Sequence, residues 1–186
     1  MNIIIAGCGK VGRALAEQLS KEKHDITVID LKPESIQLVT NAADVRGVVG
    51  NGASYDIQMD AGVDKADLMI AVTNADEVNL LCCLIAKKAG GCQTIARVRN
   101  PVYHHEIHHI KDELGLSMVI NPEWAAAMEM ARLLRFPSAI DIDTFANGRI
   151  ELLRFQLDDK NPLCGHKIRD LDTLSKCEVL VCIVER

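Results

Sequence analysis

The run Ile3-Ile4-Ile5-Ala6 leads directly into Gly7-Cys8-Gly9-Lys10-Val11-Gly12. An apolar stretch followed at once by G-x-G-x-x-G dictates a strand that turns tightly into a helix. The first glycine permits the turn, the second lets a ligand approach the backbone, and the third lets the helix pack on the strand. Free N–H groups and the dipole at the helix start favour an anion there, so Gly7, Cys8, Gly9, Lys10, Val11 and Gly12 form a candidate phosphate cradle. A second apolar run, Ile26-Thr27-Val28-Ile29, ends in Asp30, 18 positions after Gly12. The carboxylate that accepts from ribose hydroxyls in a dinucleotide site is expected roughly 20 positions on. An acid there repels a 2′-phosphate and favours NAD over NADP. Lys32, two residues later, would blur that preference.

Composition narrows the rest. The chain has 186 residues, 48% hydrophobic and 25% charged, with room for one domain and a fragment of another. Only 3% of residues are aromatic, so the core has to be aliphatic. No apolar run approaches the roughly 18 residues of a membrane span. The chain enters a strand at once, and no signal peptide is expected. A net charge of −5 without a basic stripe gives no drive toward nucleic acid. Cysteines stand at 8, 82, 83, 92, 164, 177 and 182, an odd number without a C-x-x-C pair. That pattern argues against a disulfide framework or zinc ribbon and for a reducing cytosol. Most of these thiols are expected to be small core residues. Cys8 lies at a helix N-terminus, which tends to lower a thiol pKa. We read it as a space-filling residue rather than a redox sensor.

Strands and helices alternate through roughly the first 135 residues, which predicts an α/β fold with a doubly wound, Rossmann-like parallel sheet. Val11, Leu15 and Leu19 give the first helix its apolar stripe. Pro33-Glu34 opens a second helix with Ile36, Leu38 and Val39. A third strand at 45–49 ends in Gly50-Asn51-Gly52. Residues 66–72 form a near-continuous apolar run, as in a strand covered on both faces, and end at Thr73-Asn74. Asp76-Glu77 then start a helix carrying Val78, Leu81, Cys82 and Ile85. A fifth strand at 94–98 brings Arg97 and Arg99 to its end, a helix follows Pro101, and a short strand spans 118–120. Thr73, Asn74 and Arg97 thus belong to the carboxyl edge of the sheet, where ligands bind in such folds. Arg97 is read as meeting phosphate or carboxylate in a forked pair. Its competing role is a surface ion pair with Asp76 or Glu77.

Residues 122–135 differ in kind. Only Glu123, Glu129, Arg132 and Arg135 are polar past Pro122, so this helix has to be covered on more than one side. It is either a core helix or one that crosses onto a second subunit. Beyond Phe136-Pro137, alternating runs flank Asn147-Gly148 and predict a hairpin. A short helical stretch at 168–174 and a strand at 179–184 complete the reading. A last strand with nothing after it to pair with leads us to expect that the chain stops within a second domain.

Several of these segments together are specific. They are Ile-Ile-Ala-Gly7-Cys-Gly-Lys-Val-Gly12, Ile-Thr-Val-Ile-Asp30, Gly50-Asn51-Gly52, and Asp67-Leu-Met-Ile-Ala-Val-Thr73-Asn74-Ala-Asp76-Glu77. Ile95-Ala-Arg97-Val-Arg99-Asn, Asn121-Pro122-Glu123 and Asn161-Pro162-Leu163-Cys164-Gly165 join them. The chain resembles the N-terminal half of the TrkA family, cytosolic regulators of bacterial and archaeal potassium uptake built from KTN or RCK domains. The resemblance implies a dinucleotide-binding domain at 1–136 and part of a C-terminal ligand domain at 137–186. It implies that helix 122–135 is a crossover helix joining two subunits into a homo-oligomer. It implies NAD or NADH, and ATP or ADP, as ligands that gate a membrane potassium channel or transporter subunit of the TrkH or KtrB type. The protein would then be cytoplasmic and peripheral to the membrane through that partner. The contacts carry over to Gly7, Cys8, Gly9, Lys10, Val11, Gly12, Asp30, Asn51, Gly52, Thr73, Asn74 and Arg97.

Two other readings compete. His105-Glu106-Ile107-His108-His109 satisfies the H-E-x-x-H zinc pattern, and His104 with His108 forms a second i, i+4 pair. The segment lies on the helix after strand five with no clear third ligand, so we read a solvated helix face and no metal site. The other competitor is an NAD-dependent oxidoreductase or epimerase. Such enzymes need a proton donor above the cofactor, but no Tyr-x-x-x-Lys pair is present, and Tyr55 and Tyr103 are poorly placed. A cofactor site without a chemical partner reads as a sensor and not as an enzyme.

Overall fold

The computed structural model describes residues 1–146, 149–171 and 180–185, with the side chains of His104, His105 and His108 left aside. In order come β1 (Asn2–Ala6), α1 (Lys10–Lys21), β2 (Asp25–Asp30), α2 (Pro33–Ala42), β3 (Arg46–Val49), α3 (Tyr55–Asp60), β4 (Leu68–Ala71), α4 (Asp76–Gly90), β5 (Gln93–Arg97), α5 (Pro101–Ile110) and β6 (Met118–Ile120). The six strands form one sheet in the order β3-β2-β1-β4-β5-β6, and every pairing is parallel. The fold is a Rossmann-like α/β sheet. Its strand order reverses between β1 and β4, and this switch point opens a crevice at their carboxyl ends.

The period of two along β1 builds both faces of the core. Ile3 and Ile5 pack with Ile26, Val28, Ile36 and Val39 under α1 and α2. Ile4 and Ala6 pack with Met69, Ala71, Cys82, Cys83, Ala96 and Ile107 under α4 and α5. Both faces are covered, which is why these strands read as continuous apolar runs.

The chain divides into two compact units, Met1–Ala126 and Ala127–Arg186. The division falls within α6 (Pro122–Arg135). No residue of α6 is buried, and Trp124, Met128, Met130, Leu133 and Leu134 are exposed. The alternative of a core helix is therefore corrected. In the second unit, β7 (Ala139–Phe145) pairs antiparallel with β8 (Ile150–Phe155), with Phe145 opposite Ile150. The turn residues Asn147 and Gly148 lie outside the described residues. So do residues 172–174 of the expected helix and Val179 of the expected last strand. A single 3-10 turn spans Ile168–Asp170, and residues 180–185 are not in a strand. A strand needs a ladder partner for its N–H and C=O groups, and the described residues supply none there.

Two other expectations shift. Strand four is shorter than 66–72, because Ala66 closes a 3-10 turn (Val63–Lys65) and the ladder begins at Leu68. The helix α3 had no periodic signal, being only six residues long. No helix among the described residues is long and apolar enough to cross a membrane.

The β1–α1 turn rests on absent side chains. Gly7 has φ +104°, and a Cβ there would meet the Thr73 backbone at 2.9 Å. A Cβ on Gly12 would lie 1.8 Å from the Gly7 carbonyl oxygen and 2.9 Å from its carbon, an overlap with backbone that no side-chain movement relieves. A Cβ on Gly9 would meet nothing within 4 Å. Gly12→Ala is expected to destabilise the fold by about 3 kcal/mol or more, the upper end for overpacking. Gly9→Ala should change it by less than about 0.5 kcal/mol. Denaturant unfolding followed by far-UV circular dichroism checks both.

Candidate functional site

The carboxyl edge of the sheet collects the residues singled out in the sequence. At the start of α1, Gly9 is the N-cap, no side chain caps the helix among the described residues, and the first turn carries no acid. Gly9, Lys10 and Val11 are exposed, while Gly7, Cys8 and Gly12 are buried. An uncapped helix start with open space over its N-cap glycine has the charge and the shape to receive an anion.

Asp30, at the end of β2, is half-buried and faces this turn. Its Oδ2 accepts from the Cys8 N–H at 2.7 Å and its Oδ1 from the Lys32 N–H at 2.9 Å. A carboxylate has about four acceptor positions, so these two contacts leave room for hydroxyl donors. On the other side of β2, the Gly50 N–H donates to the Asp30 carbonyl at 2.9 Å. Asn51 turns its side-chain oxygen back to the Ala53 N–H at 3.0 Å. Gly52 is buried, and a Cβ there would stand 3.0 Å from the Cβ of Ala6.

Thr73 and Arg97 are joined by a residue the sequence reading missed. Asn79, fully buried in α4, accepts from the Thr73 N–H at 2.8 Å and from its hydroxyl at 2.7 Å. Its Nδ2 donates to the Thr73 carbonyl at 3.3 Å and to the Arg97 carbonyl at 2.9 Å. One amide thus locks the ends of β4 and β5 together. A signal did exist. Asn79 shares a stripe with Cys82, Cys83 and Ala86, the buried face of α4. A polar residue on such a stripe needs partners.

The arginines sit differently from expectation. Arg97 pairs with Glu123 at 2.8 Å, and not with Asp76 or Glu77. Asp76 is buried, accepts from the Arg99 and Asn100 N–H groups at 2.8 Å each, and lies 3.6 Å from the Arg99 Nε. Arg99 also donates to the Asn74 carbonyl. Glu77 accepts from the Tyr103 hydroxyl at 2.9 Å. The Arg97 Nε is buried and meets no acceptor among the described residues.

Residues 3–122 match the family model of the TrkA-N domain. The chain belongs to the TrkA-N family. It is 39% identical over 171 residues to the Trk system potassium uptake protein TrkA homolog of Archaeoglobus fulgidus, covering 92% of this chain and 39% of that protein. The chain thus spans about two fifths of that relative's length. The TrkA-N domain of the inner membrane protein ybaL from Escherichia coli superposes with TM-score 0.63 at 25% identity, covering 72% of this chain and 96% of that one. The GsuK channel bound to NAD matches 64% of this chain and 21% of its own, with TM-score 0.55 and 20% identity, a likeness of fold alone.

The remaining signals of this TrkA-N chain resolve in part. The side chains of His104, His105 and His108 lie outside the described residues, so the H-E-x-x-H reading is not placed. Ile107 is buried and Glu106 and His109 are exposed. Among the described residues no group of three or more His, Cys, Asp or Glu is arranged to hold a metal ion. Cys8, Cys82, Cys83 and Cys92 are buried and free, as expected for most of the thiols, whereas Cys164 and Cys182 are exposed. Cys177 lies outside the described residues. The expected lowering at Cys8 is reversed. Burial and then the Asp30 carboxylate push its thiol up to about 12, and Arg13 only partly opposes them.

Two outcomes follow from this geometry. Asn79→Leu strands the Thr73 N–H and should cost at least roughly 1–3 kcal/mol, read by denaturant unfolding. The raised thiols bind protons more tightly in the folded state than in the unfolded one, whose value is near 9.0. Their contribution is complete below pH 9 and is lost as pH rises from 9 toward 12. At pH 8 iodoacetamide should label Cys164 and Cys182 quickly. Cys8, Cys82, Cys83 and Cys92 should label only on unfolding, as mass spectrometry would show.

Proposed function

We propose that this chain is the nucleotide-sensing portion of a regulatory subunit that controls potassium movement through a membrane partner. The observation that carries the proposal is the uncapped α1 N-terminus under open space at Gly9, flanked by the Asp30 carboxylate, in a TrkA-N chain 39% identical to a Trk system potassium uptake protein. The residues fit a dinucleotide. Gly9, Lys10 and Val11 would hold the pyrophosphate, Asp30 would accept from the ribose hydroxyls, and Asn51 and Gly52 would border the adenosine end. Thr73, Asn74 and Arg97 would border the opposite side. NAD or NADH, or ATP or ADP, brings phosphate charge to this edge when bound. The shared fold with the NAD-bound GsuK channel supports that ligand class.

Arg97 links the cleft to α6 through Glu123, at the first turn of that helix. Glu123 is more than half exposed, and such pairs are worth about 0–1 kcal/mol. A phosphate offers a charge-assisted bond worth about 1.5–3 kcal/mol. Arg97 then exchanges Glu123 for phosphate, and the start of α6 is freed. In this reading the functional partition runs 1–136 and 137–186, with helix 122–135 crossing onto a second copy through its exposed apolar side chains. The partner is a membrane potassium channel or transporter subunit, which holds the assembly at the cytoplasmic face. A ligand gates such an assembly only if it binds the two arrangements with different affinity.

Calorimetric titration with NAD, NADH, NADP, ATP and ADP tests the proposal. NAD(H) and adenine nucleotides should bind, and Asp30→Ala should weaken NAD at least tenfold without turnover of added alcohols or sugars. Binding of NADP(H) alone, or oxidation of a substrate, would defeat it in favour of an enzyme.

A further inference from the structure

Gln58 has none of its surface exposed and sits in α3 beneath the loop that follows β3. Its Nε2 donates to the Gly52 carbonyl at 2.7 Å and to the Cys82 carbonyl at 2.9 Å. Its Oε1 is buried and finds no donor among the described residues. An apolar side chain of this size would fill the same space without an orphaned Oε1, but it would leave the Gly52 carbonyl without this donor. The two carbonyls therefore explain why an amide is there. Cys82 lies inside α4, where the helix itself supplies a donor. Gly52 lies in a loop, and Gln58 is the donor recorded for its carbonyl.

The loop has little other support. The Gly50 N–H holds its start to Asp30, and Asn51 bonds only within the loop, to the N–H groups of Ala53 and Ser54. Gly52 fits because a Cβ would meet Ala6 at 3.0 Å and the Cys82 Sγ at 3.2 Å. The loop thus lies flat on the sheet beside Asp30, and Gln58 holds it down from below.

We propose that Gln58 is a positioning residue that fixes the Gly50–Gly52 backbone beside Asp30 and so sets the affinity of the cleft for the adenosine half of a nucleotide. This rests on the nucleotide-sensing reading, and β3 lies on the side of β2 away from the phosphate turn, where an adenosine held by Asp30 would extend.

The test titrates AMP into the full chain and into Gln58→Met and Gln58→Glu, from pH 9 to pH 6, with the melting temperature of each recorded without ligand. Gln58→Met keeps length and bulk but has no donor, and its AMP affinity should fall about tenfold while it remains folded. In Gln58→Glu a carboxylate faces two carbonyls at high pH, and its protonated form can donate to one of them. Burial raises such a carboxyl into the tested range, so its AMP affinity relative to wild type should recover as pH falls. Cys82, the thiol facing Gly52, is pushed up to about 12 by burial and stays protonated throughout. Unchanged AMP affinity in folded Gln58→Met, or a Gln58→Glu profile parallel to wild type, overturns the proposal. If Gln58→Met does not fold, the Gln58→Glu profile decides. Wild type that binds NAD but not AMP overturns the proposal, and wild type that binds neither AMP nor NAD(H) overturns the sensing reading itself, a result that appears without any variant.

Discussion

Gly12 crosses the carbonyl of Gly7 so closely that any side chain there would overlap it. That approach brings α1 onto β1 and leaves the first N–H groups of the helix over the carboxyl ends of the strands. Every other site contact depends on it. Asp30 reaches the Cys8 N–H only because the turn places that N–H beside the end of β2. Thr73 stands next to Gly7 because a glycine with positive φ leaves room for its backbone. Fold and candidate site are one constraint here, since the atoms that close the turn also present the donors.

Buried polar side chains then fix the rest of the edge. Asp76 Oδ2 accepts two backbone N–H groups, and the carboxylate sits beside Arg99. It ties the β5–α5 turn to the start of α4. Asn79 does the same for the ends of β4 and β5 with a neutral amide. Bonds of this kind cost several times more to leave unmade than they contribute when made, so they hold loop geometry firmly. Arg97 differs, because its partner Glu123 is exposed. The edge therefore has a locked part, Asp76 and Asn79, and an exchangeable part, Arg97.

The parallel sheet and the phosphate turn were legible because their signals are local. Apolar runs, the glycine spacing and Asp30 need only the order of residues along the chain. The buried amides were not legible for two different reasons. Asn79 stood on the apolar stripe of α4 and had a readable signal, the conflict between a polar residue and a buried face. Gln58 lies in a helix of six residues, too short for periodicity to reveal which face is buried. Arg97 was read as a ligand contact, with an ion pair to Asp76 or Glu77 as the competitor, and no local signal pointed to Glu123. Tertiary placement instead brings in Glu123 from 26 positions away. The apolar pattern of α6 marked a helix expected to be covered, but a pattern along one chain does not say which surface does the covering.

That last point bears on the proposed nucleotide switch. Exposed Trp124, Met128, Met130, Leu133 and Leu134 lie on the same helix as Glu123. Burying one such side chain fully is worth about 1.5–3 kcal/mol, more than the ion pair at the first turn of the helix. In the proposed switch the apolar surface would hold an assembly together while the weaker Arg97–Glu123 pair opens and closes. A strong pair at that position would resist the phosphate, and a weak apolar surface would let the assembly dissociate instead of turning. The proposed switch thus requires this ordering of strengths, exposed carboxylate against buried hydrocarbon, for a ligand to change arrangement without changing assembly.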